Sequence, residues 1–480
     1  MKLKSIISFM MLLAAVLHIS AQKKPNILWI YSDDISLELS CYGNPDVKTP
    51  NLDMLASQGT RYTKAYTTAP VCSSSRSSII TGMYPTAINS LDHRTINKME
   101  LPEHVKPVTE YFREAGYFCS NMDKSFKKMG KTDFNFLTKN IFDAIDWQDR
   151  DKDQPFYAQV NIKYPHRDFD YDKDNPIDYK TVTLPACYPD HELIKADWAM
   201  YLESIQHLDH VIGNIIQRLK DEGVWENTII FFFGDNGRPH LRDKQFLYEA
   251  GLHVPLIVYN PFKPEKNKAS TKLVSIIDVT TTSLDLAGIK VPEHMHGKIF
   301  MGENSEKREY IYGFRQRCGD APDNIRSITD GRYKLIWNRR PDLPYMQLSS
   351  YKRLQYPAFT VYKYLHSKGE LAAPFTNFMA EERPEFEFYD LKKDPMEFNN
   401  LSGSLKHAKK EKALKCQLIS ALKEFEKGMV EEDEATITKA KEGSVAWFTK
   451  AMAKEGYTGK ISDEEMMEFW YQKLLNKSFK

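Results

Sequence analysis

Cys72-Ser73-Ser74-Ser75-Arg76, followed by Thr81-Gly82, puts a thiol, a run of hydroxyls and a guanidinium into one short stretch. A buried structural cysteine prefers apolar neighbours, and a disulfide cysteine makes no demand for an arginine four residues on. Residues 66–71 read as a loop containing Pro70, and residues 73–83 read as a helix. Cys72 then stands at a helix N-terminus, where free N–H groups and the helix dipole attract an anion. The pattern points to a reaction centre that handles an anionic group; a free thiol in a serine-rich turn is the plainer alternative.

Two apolar runs bring further chemistry. Asn26-Ile27-Leu28-Trp29-Ile30-Tyr31 has the pattern of a strand covered on both faces and stops at Ser32-Asp33-Asp34. Thr228-Ile229-Ile230-Phe231-Phe232-Phe233 does the same and stops at Gly234-Asp235-Asn236-Gly237. Ligands of open α/β sheets bind beyond the carboxyl ends of the strands, so both acidic pairs are expected in one crevice. Asp33, Asp34, Asp235 and Asn236 form an oxygen-only donor set suited to Ca²⁺ or Mg²⁺, not zinc. Two further strands, near 117–119 and 156–162, lead to Asp123-Lys124 and to Tyr164-Pro165-His166, each delivering a basic group to the same edge.

The elements that must hold these groups alternate. Thr49-Pro50 starts a helix that Gly59 ends, Pro107 opens another that closes near Gly116, and Trp198, Leu202, Ile205, Leu208, Ile212, Ile215 and Leu219 recur at helical spacing up to Gly223. Strand and helix in turn predict an α/β fold, a large, mainly parallel, doubly wound sheet flanked by helices. Beyond about Gly319 the texture changes. Residues 325–328, 333–337 and 386–391 read as short strands, which predicts a smaller C-terminal α+β subdomain with a short antiparallel sheet. Residues 338–385 read as a long aromatic loop, and residues 404–428 as an amphipathic helix.

Met1-Lys2-Leu3-Lys4, an apolar run over 6–19 and Ile19-Ser20-Ala21 form the pattern of a secretory signal peptide. The expected division is therefore 1–21 signal peptide, 22–319 catalytic domain and 320–480 C-terminal subdomain, exported to the periplasm or secreted, with no membrane span after cleavage. Six scattered cysteines make no disulfide scaffold or CxxC metal spacing. A formal charge of +1 over 480 residues argues against nucleic acid as partner.

Cys72 to Arg76 with Thr81-Gly82 resembles the signature of the formylglycine-dependent sulfatases of the alkaline-phosphatase-like superfamily, and Ser74 is an allowed variant at the third position. The likeness extends through residues 25–34, 49–53, 116–124, Pro165-His166, 234–237, Lys244 with Tyr248-Glu249, and Tyr389-Asp390-Leu391 with Asp394-Pro395. Residues 232–255 look like the branch that contains sulfamidase and related glycan sulfatases. The resemblance implies that a formylglycine-generating maturation enzyme converts Cys72 to formylglycine (3-oxoalanine), whose hydrate attacks a sulfate ester. It makes Asp33, Asp34, Cys72, Asp235 and Asn236 the calcium positions (or magnesium). Arg76 supports the diol, Lys124 and Lys244 neutralise sulfate oxygens, and His166 is the general acid. Lys124 is placed ahead of Lys131, which takes the role if 125–130 is an insertion. Relatives often carry histidine two residues after the first lysine where this chain has Phe126, and Lys163 also stands where some carry histidine. The base for sulfate release is therefore unassigned: His93 and His240 are candidate stand-ins, and a solvent-exposed loop histidine is the plainer alternative for each.

Substrate contacts are expected from His93, Arg94, Arg238, His240, Arg315 and Arg317, basic groups that would meet a carboxylated or multiply sulfated sugar. The expected activity is hydrolysis of sulfate esters on a glycosaminoglycan, mucin or other sulfated glycan. The alternatives are a phosphodiester or phosphonate monoester hydrolase of the same superfamily and a catalytically silent glycan-binding homologue.

Overall fold

The computed structural model describes residues 24–479, and the expected signal peptide lies outside them. β1 (Asn26–Ser32) is an interior strand of a seven-stranded sheet, between β5 and β6. With β2 (Thr60–Tyr62), β4 (Phe118–Asp123), β5 (Phe156–Ile162), β6 (Thr228–Gly234), β7 (Leu256–Tyr259) and β8 (Lys268–Ser270), the strand order is β4-β5-β1-β6-β7-β2-β8. The first four strands are parallel; β7 turns antiparallel to β6 and to β2. β3 (Ala65–Tyr66) and β9 (Val274–Ser275) make a separate two-stranded pair.

The apolar runs are continuous because both faces of the sheet are covered. Leu28, Ile30, Ile230 and Phe232 pack on one side with Leu52 and Leu55 of helix Pro50–Gln58 and Ile205 and Leu208 of helix Glu192–Asp221. Trp29, Tyr31, Phe231 and Phe233 pack on the other with Ile79 and Ile80 of helix Cys72–Thr81, and with helices Val108–Glu114 and Ile277–Leu286. Gly82, at φ 69°, takes the left-handed conformation that ends the Cys72 helix.

β10 (Ile311–Arg315), β11 (Ile325–Thr329), β12 (Tyr333–Asn338) and β13 (Phe386–Asp390) form the antiparallel sheet. Its first strand lies on the N-terminal side of Gly319, ahead of the change in sequence texture, because Ile311–Arg315 is as apolar as the strands before it. Helix Ala408–Phe425 covers one face through Leu414, Leu418 and Leu422. Residues 338–385 are not a bare loop: helices Ser350–Gln355 and Pro357–Ser367 pack on the other face with helix Asp463–Leu475. The two sheets meet at a buried ion-pair group, in which Lys334 Nζ of β12 lies 2.7 Å from Glu249 Oε1 and 2.9 Å from Glu397 Oε1. All six cysteines are free.

Candidate active site

Ser32 of β1 pairs with Ile162 of β5 and with Gly234 of β6, so the three strands end side by side. Asp33 and Asp34 leave β1, Asp235 and Asn236 leave β6, and the chain after β5 brings His166. Asp34 sits in the left-handed region at φ 62°, a turn that an aspartate tolerates, and its N–H donates to Asp235 Oδ1 at 3.1 Å. Helix Cys72–Thr81, buried at every residue, points its first turn at this edge. One ligand atom each from Asp33, Asp34, Cys72 and Asp235 lies within 4.8 Å of all the others.

Three cations balance the carboxylates. Arg76 Nε donates to Asp235 Oδ2 at 2.7 Å, its Nη2 reaches Asp33 Oδ1 at 3.4 Å, and its Nη1 donates to Asn161 Oδ1. Lys244 Nζ lies 2.6 Å from Asp34 Oδ1 and 3.4 Å from Cys72 Sγ. Lys131 Nζ lies 2.9 Å from Asp33 Oδ2. Burial alone would raise the Asp33 carboxyl; the ammonium of Lys131 and the guanidinium of Arg76 outweigh it and hold the pKa well below the ordinary value. For Asp34 burial is likewise outweighed, by Lys244 and His166. Burial and the nearby Asp33 charge push Asp235 up in spite of Arg76. Burial also pushes the Cys72 thiol well above its usual value, which keeps it neutral.

The donor set suits a hard cation. Asn236 Nδ2 donates to Asp34 Oδ1 at 2.7 Å and to Gly237 O at 2.9 Å, while its Oδ1 is buried without a hydrogen-bond partner among the described residues. A buried carbonyl oxygen beside three carboxylates is an arrangement that an oxygen-seeking divalent cation satisfies.

The second lysine of the site is Lys131, where the sequence placed Lys124 first. After β4 the chain makes a short excursion, with Asp123 N–H donating to Lys128 O at 2.9 Å, and returns at Gly130. A Cβ at Gly130 would come within 2.3 Å of Asn121 Oδ1, so only glycine permits this return, which delivers Lys131 to Asp33. Lys124 is exposed on the excursion, its Nζ 3.9 Å from the centre of the Tyr164 ring. Phe126 packs beneath the Arg218 guanidinium, 5.1 Å from its ring centre, outside the site. Lys163 is exposed and lines no wall of the cavity over Cys72.

That cavity, of about 550 Å³, is walled by Cys72, His93, Arg94, His166 and Lys244. His166 pairs Nδ1 with the Arg167 carbonyl, an acceptor only, so Nδ1 carries a proton and Nε2, 3.6 Å from Asp34 Oδ2, is the atom free to exchange one. Burial, with Arg94 and Lys244, lowers His93 to about 3, so its ring is neutral. Arg94 holds Asp133 loosely at 3.4 Å with its side chain 61% exposed. Arg317 reaches the cavity but spends its charge on Glu432, Nη2 to Oε1 at 2.8 Å.

The structure does not bring the other three expected substrate contacts here. Arg238 is buried between Glu38 and Asp243, the latter at 2.6 Å. His240 lies among Trp198, Tyr201 and Phe169, its Nε2 3.5 Å from Asp197 Oδ2 and neither ring nitrogen hydrogen-bonded among the described residues. Arg315 pairs with Asp323 at 3.0 Å with 1% of its side chain exposed. Their partners are remote in sequence or hidden in the fold, which is why basic character alone misreads them. The cavity instead takes Tyr351 and part of helix Glu434–Lys454, which no motif singled out.

A family model described as Sulfatase matches residues 25–289, more than half of the chain. The chain belongs to the sulfatase family. A second model, "N-sulphoglucosamine sulphohydrolase, C-terminal", matches residues 237–343 of this sulfatase. It is 30% identical over 443 residues to an ulvan-active sulfatase of Formosa agariphila, covering 81% of this chain and 73% of the relative. Human N-sulphoglucosamine sulphohydrolase is 27% identical, over 59% of this chain and 64% of the relative. Among solved structures, a protein in complex with its substrate D-glucosamine-2-N,6-O-disulfate shares the fold at TM-score 0.63 and 18% identity, over 84% of this chain and 99% of that one. The phosphonate monoester hydrolase of Agrobacterium radiobacter shares it at the same TM-score and identity, over 84% and 96%. This sulfatase is a sulfuric ester hydrolase.

Proposed function

We propose that this sulfatase hydrolyses sulfate esters on a carbohydrate (a glycosaminoglycan, mucin or other sulfated glycan) through formylglycine formed from Cys72. Asp33, Asp34, Asp235 and Asn236 would hold calcium, or magnesium. The observation that carries the reading is the buried convergence of Cys72 with three carboxylates, Arg76, Lys131 and Lys244 on one sheet edge. The relatives named for ulvan and N-sulphoglucosamine support a sulfated saccharide as substrate class.

The neutral Cys72 thiol is a poor nucleophile towards a sulfate ester; the hydrated aldehyde offers two hydroxyls instead. When bound, the cation supplies positive charge that favours the ionised hydroxyl and offsets charge on a sulfate oxygen. A hydroxyl of that hydrate would displace the sugar oxygen from sulfur, and His166, with Nε2 the ring atom free to exchange a proton, would deliver one to the departing oxygen. Lys131 and Lys244 stabilise charge on the sulfuryl oxygens, and Arg76 holds the carboxylates in place. Loss of a proton from the second hydroxyl then re-forms the carbonyl and expels sulfate. His93, on the wall of the same cavity, is the residue placed to receive that proton.

We place the mature enzyme outside the cytoplasm, from the signal-peptide pattern of residues 1–21; among the described residues no helix is long and apolar enough to cross a membrane. The test is co-expression with a formylglycine-generating maturation enzyme, mass spectrometry of the Cys72 peptide, and sulfate release from a defined panel of sulfated saccharides. Phosphate release from diesters and phosphonate monoesters is measured beside it. Turnover of aryl sulfates or phosphorus esters with no saccharide turned over refutes the reading.

A further inference from the structure

Helix Glu434–Lys454 lies beyond both family-model matches, which end at residues 289 and 343, yet it forms one wall of the cavity that holds Cys72. Lys439, Gly443 and Trp447 recur every fourth residue, so they share one face over about 12 Å, a length that suits two linked sugar rings. All three line the cavity. The opposite stripe, Phe448 and Met452, is buried, so the fold gives this helix an apolar face elsewhere and does not need Trp447 for packing.

Trp447 nonetheless stays 44% exposed, a large apolar surface left open beside a reaction centre. Its ring lies nearly parallel to Tyr351, 6.3 Å between centroids at 19°, and Tyr351 also faces the cavity. Gly443 meets nothing within 4 Å of where its Cβ would be, so a groove floored by bare backbone separates the indole from Lys439. Lys439 makes no ion pair with a carboxylate among the described residues, and Arg94, only loosely engaged, lies on the same cavity. The helix is fixed in register over the site. Asp433 caps it, accepting from Thr436 N–H at 2.7 Å, Thr436 Oγ1 accepts from Asn97 at 3.0 Å, and Glu432 holds Arg317.

We infer that this helix is the subsite for the sugar adjacent to the one bearing the scissile sulfate. Trp447 stacks on the apolar face of that ring, and Lys439 meets an anionic substituent on it, a carboxylate or a second sulfate. The inference rests on the proposed glycan sulfatase activity. An indole offers a flat, rigid surface with little rotamer freedom to lose, and a lysine without a partner supplies charge at that ring and not at the reacting sulfur.

The test compares a sulfated monosaccharide with three disaccharides that carry the same scissile sulfate and end in a neutral sugar, a uronate or a second sulfated sugar. Wild type, Trp447→Ala, Trp447→Phe, Lys439→Ala and Lys439→Glu are assayed for kcat and KM, with melting temperatures as the folding control. Trp447→Ala is expected to raise KM about tenfold for every disaccharide with kcat little changed, and Trp447→Phe to restore most of it. Lys439→Glu is expected to raise KM for the charged disaccharides alone, and the larger of the two effects identifies carboxylate or sulfate as the group bound. Equal effects on monosaccharide and disaccharides, a fall in kcat in place of a rise in KM, or unchanged kinetics would overturn the subsite. If wild type releases sulfate from none of the saccharides, the proposed function fails and the subsite with it. If wild type turns over the disaccharides and the variants match it, the subsite alone fails.

Discussion

Replacing Lys131 by alanine separates the geometry from the sequence pattern most sharply, because Lys124→Ala is its internal control. Lys131 Nζ lies 2.9 Å from Asp33 Oδ2, on the sheet edge where the sulfuryl group is expected, while Lys124 rests on the Tyr164 ring. Removing a charge-stabilising donor from a reaction centre lowers kcat by about 10²–10³, equivalent to roughly 2.7–4 kcal/mol of transition-state stabilisation. Lys131→Ala is therefore expected to lose at least about a hundredfold in kcat/KM, and Lys124→Ala to stay within about threefold. The stability cost is smaller. Asp33 keeps Arg76 at 3.4 Å, and Lys131 retains 27% of its side-chain exposure, so water replaces part of the lost pairing. We expect about 2 kcal/mol, read as a lower denaturation midpoint. Both variants are assayed on one sulfated sugar after mass spectrometry has shown equal conversion at residue 72. A hundredfold loss for Lys124→Ala, with Lys131→Ala near wild type, would refute the placement of the catalytic lysine.

Three other outcomes follow from the same geometry. Cys72→Ala should abolish turnover with a nearly unchanged melting temperature, since only one sulfur contact to Lys244 and one to Asp34 are lost; insoluble protein would mark the residue as structural. His166→Ala should slow a sugar sulfate far more than an aryl sulfate with a good leaving group, because only the poor leaving oxygen needs the proton, and equal losses would remove it as general acid. Arg238→Ala should leave KM for saccharides unchanged in whatever protein folds, and should lower stability by about 3–5 kcal/mol by leaving Glu38 and Asp243 without their shared cation; denaturant titration measures this.

The parts of the site that lie on buried parallel strands were legible in the sequence, because an unbroken apolar run that stops at a polar pair marks both a strand and its end. Asp33 with Asp34 and Asp235 with Asn236 were found this way, as was the start of the Cys72 helix. Lys131 was harder, since the return at Gly130 depends on contact with Asn121 across an excursion that local pattern does not describe. Arg238 and Arg315 look like exposed binding groups until their carboxylate partners are brought in by the fold. Pro357 lies in the stretch that reads as a loop, yet it occupies the first position of helix Pro357–Ser367, where proline is welcome. Near the C-terminus Ser462 and Glu465 make a capping box that opens helix Asp463–Leu475, a signal present in the sequence but weak beside so polar a surrounding stretch.

The lysine sealed between Glu249 and Glu397 ties the antiparallel sheet to the segment that follows the β6 end of the large one. Excising the C-terminal portion would leave Glu249, at the start of the short helix Glu249–Leu252, as a stranded anion whose remaining contacts are Tyr66 and His253. A shortened catalytic half is thus a poor candidate for an autonomous enzyme, and heat or denaturant should dismantle both lobes in a single transition.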